Sequence, residues 1–199
     1  IRPGRDFPQP LLPADNPPTP SRVALGRRLF HDNRLSRDQA LSCASCHQET
    51  NALSDPRKFS TGVDNRLGDR NAMPLFNLAW KDSFFWDGRA GSLRQQALMP
   101  IVDHREMDET LDKVVARLEQ DDVMKADFEK AFGSSEVTAE KLGLALEAFL
   151  LTLTSDDSKF DRARRGETTL TAEEQRGFEL FMTEREPRLG TLGADCFHC

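Results

Sequence analysis

The chain has no tyrosine among its 199 residues, and no stretch of it alternates apolar and polar residues for long. That pair of absences argues against a sheet-rich fold, because strands draw on aromatic and β-branched residues at a period of two. There is no run of about 18 apolar residues, the length a helix needs to cross a bilayer, so no membrane span is expected. Basic residues are too few to make a phosphate-binding face: 27 Lys and Arg against 33 Asp and Glu leave a net charge of -6. Nucleic acid is therefore excluded as a partner, whereas an acidic surface suits a basic protein. No initiating methionine and no signal peptide are seen. An opening on Ile1 fits a processed export product or a trimmed chain, so export is permitted. Cysteine is scarce, and its four residues fall in two pairs with two intervening residues each. That spacing serves zinc, redox disulfides or haem, and seldom a structural disulfide framework.

What is present describes a chain that folds, with 38% hydrophobic and 30% charged residues. Residues 1–20 hold seven of the eleven prolines, which resist helix and predict an extended arm, either lying on the body or loose in solvent. Thr19 and Pro20 then cap a helix reaching Phe30, with Val23, Leu25, Leu29 and Phe30 at helical spacing. Leu111, Val114, Val115 and Leu118 mark a second helix, and a Leu-rich run from Thr138 to about Leu153 marks a third. Thr171 and Glu174 form a capping-box pattern ahead of Phe178 and Phe181. The fold class is mainly α. Residues 48–83, with Pro56, Gly62, Gly68 and Pro74, form the longest irregular stretch, and a loop of that length usually has a task such as covering a cofactor.

Gly26, Leu29 and Phe30 precede Cys43, and Gly177, Leu180 and Phe181 precede Cys196 at the same mutual offsets. The echo implies a duplicated unit: one domain over residues 21–165, and a second over 166–199 that has only begun. Cys43-Ala-Ser-Cys46-His47 has the spacing that attaches haem, two thiols bonding covalently and the adjacent histidine ligating the iron. A zinc knuckle or a redox dithiol is the alternative, although zinc would need further ligands and the other histidines are only His31, His104 and His198. Cys196-Phe-His-Cys199 would be a second haem site if histidine followed Cys199, as expected. The other reading, in which His198 and the two thiols bind metal, stays open.

The run Phe85-Trp86-Asp87-Gly88-Arg89-Ala90, with Leu93, Gln96-Ala97, Pro100 and Glu106-Met107, resembles the signature of the di-haem cytochrome c peroxidases and MauG. Arg70-Asn71-Ala72 resembles their preceding loop, and the likeness covers roughly residues 22–199. It implies two cytochrome c-like helical domains, each with a covalently bound haem c. It also implies that Trp86 relays electrons between the haems, where a packing role is the alternative; Trp80 has no such support and is read as core. Gln96 and Glu106 resemble the pocket over the first haem. Glu106 would move a proton between the peroxide oxygens and Gln96 would orient them. A first-turn residue complementing the dipole of the helix near Asp108 is the other reading of Glu106. Pro100 is expected in the pocket wall or in a simple turn, and Met107 in the pocket or the core. Peroxidase members bring a histidine from a Gly-rich loop to close the first iron. The corresponding position here is Val63, so the iron is expected open, as in MauG; ligation by His104 instead is the alternative, and His31 is read as a helix-end residue. The resemblance further implies calcium at Asn71, although one amide oxygen is far from the six to eight that calcium takes. Arg162 to Arg165 are read as a solvated face.

The implied activity is that of an exported, periplasmic oxidoreductase using hydrogen peroxide, with oxidising equivalents held on the two haems. Two substrate classes compete. One is MauG-like oxidation of side chains such as tryptophan in a partner protein, and the other is peroxide reduction with electrons from a small cytochrome or cupredoxin. Plain electron transfer without catalysis is a third reading, which would leave Gln96 and Glu106 without a chemical task.

Overall fold

The structure is a computed structural model that describes residues 7–10 and 12–198. It divides into two compact units, one of Pro8–Thr154 and one beginning at Ser155. The fold is mainly α. Among the described residues the sheet content is one antiparallel pair, β1 (Arg185–Glu186) and β2 (Thr191–Leu192), with Arg185 opposite Leu192.

In the first unit, α1 (Pro20–Phe30) starts where Thr19 Oγ1 accepts the Arg22 N–H at 3.4 Å and Pro20 takes the first turn. It buries Leu25, Leu29 and Phe30 against α6 (Ala139–Leu150), whose residues from Ala145 to Leu150 are all buried. Each fully buried leucine contributes about 1.5–3 kcal/mol. Gly26 lets the two backbones touch, because a Cβ there would stand 1.9 Å from the Ala145 carbonyl oxygen. The Phe30 and Phe149 rings meet at 5.3 Å between centroids. Around this pair lie α4 (Leu111–Leu118) and α5 (Asp122–Phe132), while α3 (Leu93–Val102) packs on α6. The four-residue α2 (Cys43–Cys46) stands apart in a long irregular region.

Two of these helices lie outside the sequence-based expectation. α3 buries Leu93, Ala97 and Ile101 on one side and carries partly buried Leu98 and Met99 as well, so no polar face marks its period. α5 does carry full signals: Asp121 accepts from the Val123 and Met124 N–H groups, Met124, Phe128 and Ala131 are buried, and Gly133 ends it at φ 74°. The region after α2 holds only single 3-10 turns before α3, as its proline and glycine content predicts. The proline-rich arm lies on the body where it is described. The Pro8 carbonyl accepts from Trp80 Nε1 at 2.8 Å, and Asn16 is fully buried.

The second unit holds α7 (Lys159–Arg164) and α8 (Ala172–Met182). Thr171 and Glu174 cap α8 reciprocally, at 3.3 and 2.7 Å. The Phe160 and Phe178 rings pack at 5.1 Å. A Cβ on Gly177, the echo of Gly26, would meet nothing within 4 Å.

Candidate haem site

α2 is a single turn, closed by the His47 N–H donating to the Cys43 carbonyl at 3.0 Å and the Ser42 N–H donating to Ser45 Oγ at 3.0 Å. Three residues apart on that turn, Cys43 and Cys46 share a face, and both line a large cavity together with His47. His47 Nδ1 lies 2.9 Å from the Leu53 carbonyl oxygen. A carbonyl only accepts, so Nδ1 carries the proton. Burial holds the imidazole below its usual pKa, against hydrogen bonding to the Leu53 and Met73 backbone, and the neutral ring protonated on Nδ1 is the form whose Nε2 can ligate iron. The carbonyl is aimed by two consecutive left-handed residues, Ala52 at φ 55° and Leu53 at φ 56°. Nothing in the sequence marks this contact, since every residue has a carbonyl.

Burial pushes the Cys43 thiol up to about 12 and raises Cys46 as well, the opposite of what a redox-active dithiol requires. Both are free thiols. Among the described residues no three His, Cys, Asp or Glu side chains are grouped to hold a metal ion. The donor set of two thiols, an oriented neutral imidazole and a large cavity therefore fits haem c.

Glu106, Gln96, Pro100 and Met107 line the same cavity. Gln96 and Pro100 are one turn apart on α3, and Pro100 lies inside that helix, not in a turn. Its ring leaves no N–H for the carbonyl four residues back, that of Gln96. Met107, 5% exposed, belongs to both the core and the cavity wall. Glu106 sits in the turn between α3 and α4, closed by its own N–H donating to the Asp103 carbonyl at 3.0 Å. It precedes Leu111, where α4 begins, and so is not in the first turn of a helix. Its carboxyl reaches solvent through the cavity and makes no hydrogen bond among the described residues. Crowding by protein raises its pKa to about 7, with Asp103 adding to the rise and Arg89 and Arg105 opposing it. A carboxyl poised near neutrality and free of partners can both take and give a proton.

Trp86 also lines the cavity, is 59% exposed, and donates from Nε1 to the Asn71 carbonyl at 2.9 Å. It rides on a turn closed by Phe84 and Ala90, in which the Arg89 guanidinium lies 3.5 Å from the centre of the Phe85 ring. Asp87 pairs with Arg70 and Arg89, which hold its carboxyl at about 2. Trp80 instead packs partly buried against the core. Val63 is buried and does not line the cavity. The His104 side chain is 71% exposed and does not line it either, while His31 caps the end of α1. Asn71 Nδ2 donates to the Asp55 and Arg57 carbonyls at 3.2 and 2.8 Å, and its Oδ1 lies 3.4 Å from Ser54 Oγ. Asn71 Oδ1 is a single side-chain oxygen with no group of three His, Cys, Asp or Glu near it among the described residues, and no step is derived through calcium. In the second unit Cys196 is exposed, and His198 Nε2 lies 3.0 Å from Asp195 Oδ1. Cys199 lies outside the described residues.

The family model of the di-haem cytochrome c peroxidases matches residues 20–169, and the chain belongs to that family. The methylamine utilization protein MauG of Methylorubrum extorquens is 43% identical over 171 residues, 85% of this chain and 48% of the relative. The cytochrome c peroxidase Ccp of Escherichia coli K12 is 38% identical over 179 residues, 89% of this chain and 38% of the relative. Among solved structures, a MauG-like protein associated with microbial copper homeostasis superposes with a TM-score of 0.87 at 33% identity, covering 98% of this chain and 56% of that one. The chain thus spans about half the length of these relatives.

Proposed function

We propose that this chain carries the peroxide-reactive centre of a di-haem oxidoreductase, in which Glu106 handles the proton and Gln96 orients the peroxide. The observation that carries the reading is the convergence on one cavity of the Cys43, Cys46 and His47 set and an unbonded carboxyl raised to about 7. Haem c bound there would supply the iron at which the O–O bond is broken. Glu106 in its ionised form takes a proton from one peroxide oxygen and returns it to the other, and the Gln96 amide, one turn from Pro100, hydrogen-bonds the oxygens. Trp86 provides an oxidisable indole at the cavity edge for electron relay. Cys196 and Cys199 attach the second haem in this reading.

The substrate class we favour is a protein partner whose side chains are oxidised, in a periplasmic setting. Its support is the inward burial of Val63 and the exposure of His104, which leave no side chain from either position to close the iron. Reduction of peroxide with electrons from a small cytochrome or cupredoxin is the second reading, favoured by the relatives named cytochrome c peroxidase. Electronic and paramagnetic resonance spectra of the oxidised full-length protein, before and after one equivalent of peroxide, separate the two. A high-spin haem beside a low-spin one, with a long-lived oxidised state, supports the first. Two low-spin haems that ignore peroxide until partly reduced support the second.

A further inference from the structure

The acid-base role of Glu106 requires a fixed backbone under a free carboxyl, and the way residues 104–108 are held meets both demands. The loop 60–68 folds on itself, with the Gly62 N–H donating to the Arg66 carbonyl at 2.8 Å and the Gly68 N–H donating to the Ser60 carbonyl at 3.1 Å. From it the Val63 N–H donates to the Glu106 carbonyl at 2.8 Å. Gly62 lies so close that a Cβ would stand 2.1 Å from the Arg105 carbonyl oxygen and 2.5 Å from that of Glu106. Arg66 grips both flanks: its Nη1 donates to the His104 carbonyl at 2.7 Å and to Asp108 Oδ2 at 2.9 Å, two residues before and two after Glu106. Its Nη2 pairs with Asp64 at 2.9 Å. Arg37 completes the set, donating its backbone N–H to the Met107 carbonyl at 2.9 Å and pairing with Asp64 and, at 3.3 Å, with Asp108. Asp108, held this way, has the left-handed φ of 51°, which few residues without a specific restraint adopt. Every acceptor engaged is a backbone carbonyl, Asp64 or Asp108, and the Glu106 carboxyl is left alone.

We infer that Arg66 is a positioning residue for Glu106, clamping the turn 104–108 to the loop 60–68. This rests on the acid-base reading of Glu106. A guanidinium suits the task because its planar fork reaches a carbonyl and two carboxylates at once.

The test is a cycle of R66A, E106Q and the double variant in full-length, haem-loaded protein, with peroxide reaction followed per haem by stopped flow. R66A is expected to slow the reaction about tenfold or more, since small misplacements of a reacting group carry costs of that order. In the E106Q background the same change should cost less than about twofold, because the group it positions is gone. The rise of rate with pH near 7 that Glu106 supplies should shrink in R66A and partly return in R66K, whose ammonium retains one of the bonds. Equal losses in both backgrounds, or no loss in either, would overturn the inference. Hydrogen exchange at the Val63 amide gives a readout independent of turnover, and R66A should accelerate it. If E106Q reacts at the parental rate, the acid-base reading fails and the exchange decides the clamp alone: acceleration supports it, and unchanged protection overturns it. Should R66A fail to take up haem, R66K carries the same cycle and the same exchange measurement.

Discussion

Replacing Glu147 with alanine should cost this protein about 1–3 kcal/mol, the range for leaving buried polar groups without their partner. Glu147 is 2% exposed in α6. Its Oε1 accepts from the Arg94 backbone N–H and Nε, both at 3.2 Å, and its Oε2 meets Arg94 Nη2 and Asn16 Nδ2, both at 2.8 Å. One carboxylate therefore caps the first turn of α3, neutralises Arg94 and pins the proline-rich arm. Alanine would leave Arg94, 28% exposed, with Asp15 as its carboxylate partner at 2.6 and 2.9 Å, would leave the Arg94 backbone N–H without its acceptor, and would remove part of the hydrogen bonding of Asn16, which is 0% exposed. Asn16 would keep its bonds to the Leu144 carbonyl and to Arg22, so the loss lies chiefly at Arg94. With a urea dependence of about 2 kcal/mol per molar, the midpoint should fall by about 0.5–1.5 M. Far-ultraviolet circular dichroism of the haem-loaded full-length protein reads this directly. Asp15, on the outer side of Arg94 and 69% exposed, should cost less than about 1 kcal/mol when changed to alanine. A Glu147→Ala midpoint within about 0.25 M of the parent would refute the assignment, because buried donors left without their acceptor cannot be that cheap.

Glu106→Gln should slow reaction with peroxide by a factor on the order of a hundred, and the parent's rate should rise with pH through about 7, as its carboxyl ionises, where the variant's stays flat. Stability carries the opposite slope. The folded pKa lies above the ordinary 4.5, so this group's contribution is complete below about 4.5 and lost as pH rises through about 7, and urea midpoints of the glutamine variant should not show that decline. Trp86→Phe should leave peroxide reaction intact and block oxidation of the partner or donor in steady-state turnover; full turnover would reject the relay. Gly26→Ala should destabilise by about 1–3 kcal/mol in the same urea assay, since the methyl would be driven into the Ala145 carbonyl.

The helices that could be read from sequence are those whose ends and faces speak locally. Thr19, Thr138 and Thr171 each accept a backbone N–H three residues on, and the apolar spacing behind them survives as burial. α3 was opaque for a physical reason. One side of it packs on α6 while Gln96 and Pro100 face the cavity, so the contrast between wet and dry faces that makes a helix legible is missing, and an internal proline argues against it besides. Asn16 was equally hidden. Its burial depends on a carboxylate 131 positions away, and the local composition of the arm speaks only of solvent and extension.

The candidate site divides along the same line. Cys43, Cys46 and His47 are named by their motif spacing, because covalent attachment demands those side chains, whereas Trp86, Gln96 and Glu106 are named by the family resemblance. The parts that make those side chains competent are mostly backbone: the Leu53 carbonyl that fixes the His47 tautomer, and the Val63 N–H that anchors the Glu106 turn. Position 63 shows the difference most clearly. Its identity, valine for an expected histidine, reads in sequence as a missing iron ligand. In the fold its side chain is buried outside the cavity, and its N–H holds the carboxyl-bearing turn. In the proposed reading, an iron left open by side-chain loss and an acid-base group held by main-chain contact thus depend on one residue. A substitution there that restores the histidine must also disturb the turn of Glu106 unless the whole loop 60–68 moves.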